Sequence, residues 1–258
     1  MINNIIIDDI RFKSVKGGYI HIHKRSNNSG VKKPVVVFSH GFITDGLENH
    51  RMFLRIAKNL NNAGYSVVLY DNFGCGYSDG EYKDFRFSFA IKDYANVVNW
   101  AINNTNCNGK CVLFGQSLGT AVIIASIAYI KNEINSIILW NFSADIEKRY
   151  PKIFGDQIKH SNSYCIEHKG FYISSEFYND VIKYDIFRYL PYVNSPILFL
   201  NSGNDNIGDM SLSDKAIKLV KSNKLRIVIE GANHSFNCQI DKEDLAIEKS
   251  VNWIEKHL

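Results

Sequence analysis

Short apolar runs alternate along this chain with longer segments in which apolar residues recur three and four positions apart. The runs at 35–38, 66–70, 111–114, 136–140, 197–200 and 225–229 are rich in Val, Ile, Leu and aromatic residues. Most are continuously apolar rather than alternating, which predicts strands covered on both faces, as in a parallel sheet between helices. In the gaps, Phe53, Ile56, Ala57 and Leu60 make one helical stripe that stops at Ala63-Gly64, a C-cap sequence. Ala90, Tyr94, Val97, Val98 and Ala101 make a second, Ala216, Leu219 and Val220 a third, and Leu245, Val251 and Ile254 a last one. Strands alternating with helices predict an α/β fold. The first forty residues read differently: 5–10, 12–15 and 19–23, around Gly17-Gly18, predict an antiparallel meander leading into the parallel part.

The alternation breaks between about 143 and 192, a long stretch rich in Tyr and Phe between two core strands. Connections of that length inside a compact domain are usually functional, so an inserted lid is expected. Residues 111–130 carry no charge over a length that could cross a bilayer as a helix. Gly115, Gln116, Ser117, Gly119 and Thr120 interrupt that run, which predicts a strand, a sharp turn and a buried helix over 121–130 rather than a membrane span.

Composition narrows the classes. With 258 residues, 45% of them hydrophobic and 22% charged, the chain can bury a large core, and disorder is excluded as its main state. The net charge of +4 is spread along the sequence without a basic block, which argues against a nucleic-acid partner. Five cysteines, an odd number without framework spacing, argue against a disulfide-stapled secreted fold. Asp8 and Asp9 fall where a signal peptide would need a basic start and an apolar run, so a cytoplasmic location is expected.

The chemistry concentrates at Gly115-Gln116-Ser117-Leu118-Gly119. A Gly-x-Ser-x-Gly between strand and helix makes a tight turn whose small residues let the two elements approach, leaving the serine hydroxyl exposed as a nucleophile. Here the sequence resembles the α/β-hydrolase superfamily over nearly its whole length. His40-Gly41-Phe42 matches that family's oxyanion turn, and Asp71-Asn72-Phe73-Gly74-Cys75-Gly76-Tyr77-Ser78-Asp79-Gly80 is similar to its Asp-x-x-Gly-x-Gly-x-Ser-Asp loop.

The resemblance implies a single α/β-hydrolase domain over 1–258, with a mostly parallel sheet, N-terminal antiparallel strands and a small inserted lid at about 143–192. It implies the triad order Ser, acid, His. The acid is then Asp205, in Asn201-Ser202-Gly203-Asn204-Asp205, where Ser202 replaces the family's usual Gly; Asp209 is the second choice. The base is His234, in Glu230-Gly231-Ala232-Asn233-His234. Backbone N–H groups of Phe42 and Leu118 would hold the oxyanion. No cofactor and no metal are implied.

The motifs resemble most the cinnamoyl and feruloyl esterase-like group and its serine aminopeptidase and monoacylglycerol lipase neighbours. The expected activity is hydrolysis of carboxylic esters with small or aromatic acyl groups through an acyl-enzyme. Thioesterase, aminopeptidase-like and non-catalytic binding roles are the alternatives on the same scaffold. A serine nucleophile argues against the relatives that place Asp there. The expected partner is a small-molecule ester, with a homodimer left open. His21 and His23 share a strand face, but no acid at ligand spacing joins them in the sequence, so a solvated face is expected there rather than a metal site.

Overall fold

The computed structural model describes residues 5–160 and 164–258, so the first four residues of the N-terminal segment and positions 161–163 of the 143–192 stretch lie outside it. In chain order the elements are β1 (Ile5–Lys13), β2 (Tyr19–Asn27), β3 (Val35–Ser39), α1 (Met52–Asn62), β4 (Val67–Tyr70), α2 (Phe87–Asn104), β5 (Cys111–Gln116), α3 (Leu118–Ser126) and β6 (Ile134–Trp140). They continue with α4 (Ile146–His160), β7 (Cys165–His168), β8 (Phe171–Ser174), α5 (Ser175–Val181), β9 (Ile197–Ser202), α6 (Ser211–Leu219), β10 (Lys224–Ile229) and α7 (Ile240–Lys256).

Eight strands form one sheet in the order β1-β2-β4-β3-β5-β6-β9-β10. From β4 to β10 neighbours run parallel, while β2 meets both β1 and β4 antiparallel. Both faces of the parallel strands are apolar. Val35, Val37, Leu113, Ile137, Leu139, Ile197 and Phe199 pack with α2 and α3, whereas Val36, Phe38, Val112, Phe114, Ile138, Trp140, Leu198 and Leu200 pack with α1 and α7. Burial on two faces is why these strands read as unbroken apolar runs.

The N-terminal part is one hairpin rather than three short pieces. Ile10 and Phe12 pack on the core while Asp9 and Arg11 face solvent, so the alternation runs unbroken through residue 12. The chain reverses only at Ser14–Gly18, where Gly17 (φ 93°) and Gly18 (φ 78°) supply left-handed backbone.

Two helical readings shift. The helix after Ser117 starts at Leu118 rather than Ala121 and gives way to a 3-10 turn at Ile127–Tyr129. Among the described residues no helix is long and apolar enough to cross a membrane. In α7 the buried stripe is Ala246, Ile247, Ser250, Trp253 and Ile254, while Leu245 is 40% exposed. Small and polar residues carry that face because Ser250 Oγ receives the indole N–H of the buried Trp140 at 2.9 Å.

The stretch between β6 and β9 folds as α4, an antiparallel β7–β8 hairpin, α5 and two 3-10 turns. Tyr150, Phe154, Phe177, Val181, Ile186 and Leu190 from this stretch are buried in continuity with the main core, so its aromatic density is in part ordinary packing.

Candidate active site

The site is built at the carboxyl ends of the parallel strands, where an open α/β sheet presents its loops. Ser117 sits between β5 and α3 with φ 52° and ψ −121°, a backbone strained for any residue with a side chain. Its N–H donates to Trp140 O at 3.0 Å, and its C=O accepts from Thr120 Oγ1 at 2.6 Å, which holds the turn from both sides. Of the two flanking glycines, Gly119 is obligatory against main-chain atoms, whereas at Gly115 the nearest obstacle is a side-chain tip. A Cβ at Gly119 would lie 2.0 Å from Ser39 O, and one at Gly115 would lie 2.7 Å from Ile123 Cδ1.

His234 lies in the loop between β10 and α7. Its Nδ1–H donates to Asp205 Oδ2 at 2.7 Å, which assigns the tautomer and leaves Nε2 free to accept a proton. Ser117 and His234 line one cavity of about 880 Å³. Asp205 stands just past β9 with its side chain 3% exposed. Burial pushes its pKa up, but the hydrogen bond and charge of His234, with the Gly208 and Ile207 amides at 2.7 and 2.8 Å, outweigh burial and hold the carboxyl below its ordinary value. Asp209 makes no such contact: its Oδ1 accepts from Ser211 N at 2.8 Å at the start of α6.

The His40-Gly41-Phe42 turn follows β3 and borders the same cavity through Gly41 and Phe42. His40 is buried, and burial lowers its pKa. Its neutral ring donates Nδ1–H to Gly41 O at 3.0 Å and accepts the Asn72 N–H on Nε2, also at 3.0 Å. Leu118 is buried at the first position of α3, where helix N–H groups have no partner within the helix. The Asp71–Gly80 loop is a scaffold: Asp71 accepts the amides of Gly46 and Tyr77 at 2.7 and 2.8 Å.

Three residues that the motif reading passed over hold this arrangement. Gln116 Nε2 and Asn141 Nδ2 both donate to His234 O, at 2.9 and 2.8 Å. Glu48, 6% exposed, borders the cavity and accepts the Gly41 N–H. Gln116 stood in plain view as the variable position of Gly-x-Ser-x-Gly. Asn141 and Glu48 carried no local signal beyond being polar residues near predicted strand ends.

The cavity wall is aromatic. Phe42 stands 4.8 Å, centroid to centroid, from Tyr150 and 5.9 Å from Phe154, and Phe171 also borders the space. Arg149, Lys152, His168 and Lys169 surround it as well. Tyr164 and Tyr172 are more than half exposed and turn away from the core.

His21 and His23 are not merely solvated, because Asp9 on the neighbouring β1 accepts from both, at 3.1 and 2.9 Å. The strand pairing supplies an acid that linear spacing did not reveal. Among the described residues no group of three or more His, Cys, Asp or Glu could hold a metal ion.

A family model described as alpha/beta hydrolase fold matches residues 34–154. The chain is 29% identical over 106 residues to an uncharacterized 31.7 kDa protein in the traX-finO intergenic region of Escherichia coli, an alignment covering 40% of this chain and 36% of that protein. It is 23% identical to a monoglyceride lipase homolog of Monkeypox virus, covering 86% of this chain and 89% of that one. Among solved structures, ferulic acid-bound Est1E from Butyrivibrio proteoclasticus superposes with a TM-score of 0.84 at 17% identity, covering 96% of this chain and 98% of that one. The sheet order, the serine turn after β5 and the match over 34–154 agree on an alpha/beta hydrolase fold for this chain.

Proposed function

We propose that this protein is a serine-dependent carboxylic ester hydrolase acting through an acyl-enzyme. The observation that carries the reading is the Asp205–His234 hydrogen bond opening, through the free Nε2, onto the cavity that Ser117 borders. His234 takes the Ser117 proton as Oγ attacks the acyl carbonyl. Asp205 holds the imidazole in that tautomer and stabilises its cationic form. The Phe42 and Leu118 amides receive the oxyanion, and His234 then protonates the leaving alcohol. Water, activated by the same histidine, attacks the acyl-enzyme and frees the acid. No step requires a cofactor.

The α4-to-α5 stretch acts in this reading as the lid. Phe42, Tyr150, Phe154 and Phe171 give the cavity flat walls, which favour small or planar acyl groups over long flexible chains. The Est1E structure in complex with ferulic acid supports an aromatic acyl group as a first substrate class to try. An aminopeptidase role is less well supported, because a free substrate amine needs an acidic partner. Among the described residues around the cavity, the one carboxylate is Glu48, and it is already engaged by main-chain amides.

The test is a panel of p-nitrophenyl esters of rising acyl length, hydroxycinnamate esters, acyl thioesters and aminoacyl anilides, run on wild type, Ser117→Ala and His234→Ala. Each substitution should remove about 10⁴-fold of kcat, with little further loss when combined. A fluorophosphonate should label Ser117 alone. Ester turnover that survives in Ser117→Ala would overturn the reading, and preferential anilide cleavage would replace it with the peptidase.

A further inference from the structure

Glu48 is a carboxylate buried beside an active site whose proposed chemistry makes no use of it. Its backbone is left-handed at φ 62°, and His50 and Arg51, two and three residues on, are left-handed as well at 43° and 62°. None of the three is a glycine, so the turn is held in a conformation that these residues do not choose. The contacts that hold it run in two directions. On one side Glu48 accepts the Gly41 N–H. On the other, Oε2 accepts from the amide and side chain of Asn49 at 3.2 and 3.3 Å. Asn49 Nδ2 reaches Ser235 Oγ at 3.2 Å, and His50 Nε2 lies 2.6 Å from Ser235 O. Ser235 follows the proposed base. One short turn thus joins the loop after β3 to the histidine loop.

The point of attachment is informative. Gly41 lacks a side chain to restrict it, and a Cβ there would lie 3.0 Å from Glu48 Oε1 and 3.5 Å from Ser117 Cβ, so the carboxylate and the nucleophile crowd the same stretch of backbone and a side chain would press on the carboxylate. Two peptide planes meet at Gly41. His40 pins the Gly41–Phe42 plane by its oxygen, at 3.0 Å, and Glu48 pins the His40–Gly41 plane by its nitrogen. With both planes fixed, the Phe42 N–H has one direction.

We propose that Glu48 is a positioning residue for the oxyanion-binding loop: its carboxylate fixes the backbone at Gly41 so that the Phe42 N–H meets the developing oxyanion, and its turn ties that loop to the loop of His234. The inference rests on the ester-hydrolase reading. Glu48 touches no reacting atom, so its removal should be felt in the transition state and not in substrate binding.

The experiment compares wild type with Glu48→Ala, Glu48→Gln and Glu48→Asp on p-nitrophenyl acetate, and measures inhibition by a trifluoromethyl ketone, whose hemiketal with the serine needs the oxyanion site. Glu48→Ala should lower kcat about 30-fold, less than the roughly 10²–10³-fold that outright loss of an oxyanion donor costs because the Phe42 N–H is misaimed rather than removed, with KM changed less than about threefold and ketone affinity weakened in parallel. Glu48→Gln keeps an acceptor for Gly41 N–H and should recover to within about fivefold of wild type. Glu48→Asp keeps the charge but withdraws it by one carbon. If Glu48→Ala does not fold, Glu48→Asp should still show about a tenfold lower kcat at unchanged KM. Variants that melt earlier but keep wild-type kcat and ketone affinity would overturn the proposal. Failure of the underlying reading is separate and visible in the same assay, as turnover that Ser117→Ala does not abolish.

Discussion

Asn141 donates its side-chain amide to the main-chain carbonyl of His234 at 2.8 Å, while its own Oδ1 accepts the Ser202 N–H at 2.7 Å. One residue at the end of β6 thereby fixes the end of β9 and the loop of the proposed base. Asn141 adopts φ 51°, a conformation that Asn tolerates better than most residues. Asn141→Ala should cost ~2–4 kcal/mol in urea unfolding, from lost buried hydrogen bonds plus strain. It should also lower kcat/KM for p-nitrophenyl acetate about tenfold or more. Asn141→Gly should recover ~1 kcal/mol of that stability by relieving the backbone, without recovering activity.

Asp205 and Asp209 should separate cleanly. Asp205→Asn removes the carboxylate that sets the His234 tautomer and should lower kcat about 10⁴-fold, with a modest drop in melting temperature at neutral pH. Asp209→Ala loses a helix-start acceptor and should cost ~1 kcal/mol of stability with near-normal kcat. Because His234 and the loop amides hold the Asp205 pKa below its ordinary value of 3.8, its carboxylate stabilises the fold above that pH and loses the contribution as pH falls through the folded pKa. Acid unfolding curves of wild type and the Asn variant should therefore differ in slope only below about pH 4.

Glu48 makes the opposite contribution. Burial, with repulsion from Asp45 adding to it, raises its pKa from 4.5 to about 7 against the lowering effect of the Gly41 and Asn49 amides. An acid with a raised pKa favours the fold while protonated, and that advantage shrinks as pH climbs from 4.5 to about 7 and stays lost above. Glu48→Gln does not titrate, so its stability relative to wild type should rise across that window by roughly 3 kcal/mol and then level off. Thermal melts at pH 5, 6, 7 and 8 measure this. A variant that is more stable at pH 8 yet slower in turnover would mark a carboxylate held at the expense of stability.

Gly119→Ala inverts the usual rule for helices. In an ordinary helix the change would gain up to ~1 kcal/mol. Here the new methyl would meet Ser39 O at 2.0 Å and His40 O at 2.7 Å, both main-chain atoms that cannot swing away. The variant should lose more than ~3 kcal/mol, or fail to accumulate as soluble protein.

What the sequence revealed and what it hid follow one physical distinction. The turns that carry Ser117, Asp205 and His234 were legible because their backbone demands leave a local signature, and β3, β5, β6 and β9 were legible because double-sided burial writes continuous apolar runs. Glu48, Asn141 and Gln116 act through hydrogen bonds to main-chain atoms far along the chain, and a carbonyl or an amide has no letter in a sequence. The buried face of α7 was only partly placed: Ile254 lies on it and Val251 packs at its edge, but Ala246, Ser250 and Trp253 carry the rest while Leu245 faces out. The Asp9 partner of His21 and His23 depended on strand register, which the apolar pattern at the N-terminus did not specify.

β6 and β9 lie side by side in the sheet, Ile137 opposite Ile197 and Trp140 opposite Leu200, so the whole excursion through α4, β7, β8 and α5 leaves and rejoins the scaffold at adjacent positions. Topologically it is a detachable cassette, and recombination could trade it for another without disturbing strand order. Phe42 restricts that exchange. Its ring packs against Tyr150, Phe154 and Phe177 of the excursion, at 4.8, 5.9 and 5.6 Å, so any transplanted cassette must bring its own apolar plug for the same ring. Chimaeras that match this one contact should tolerate foreign sequence elsewhere in the cassette. A glycine-serine bridge would leave Phe42 bare and should destabilise the scaffold itself.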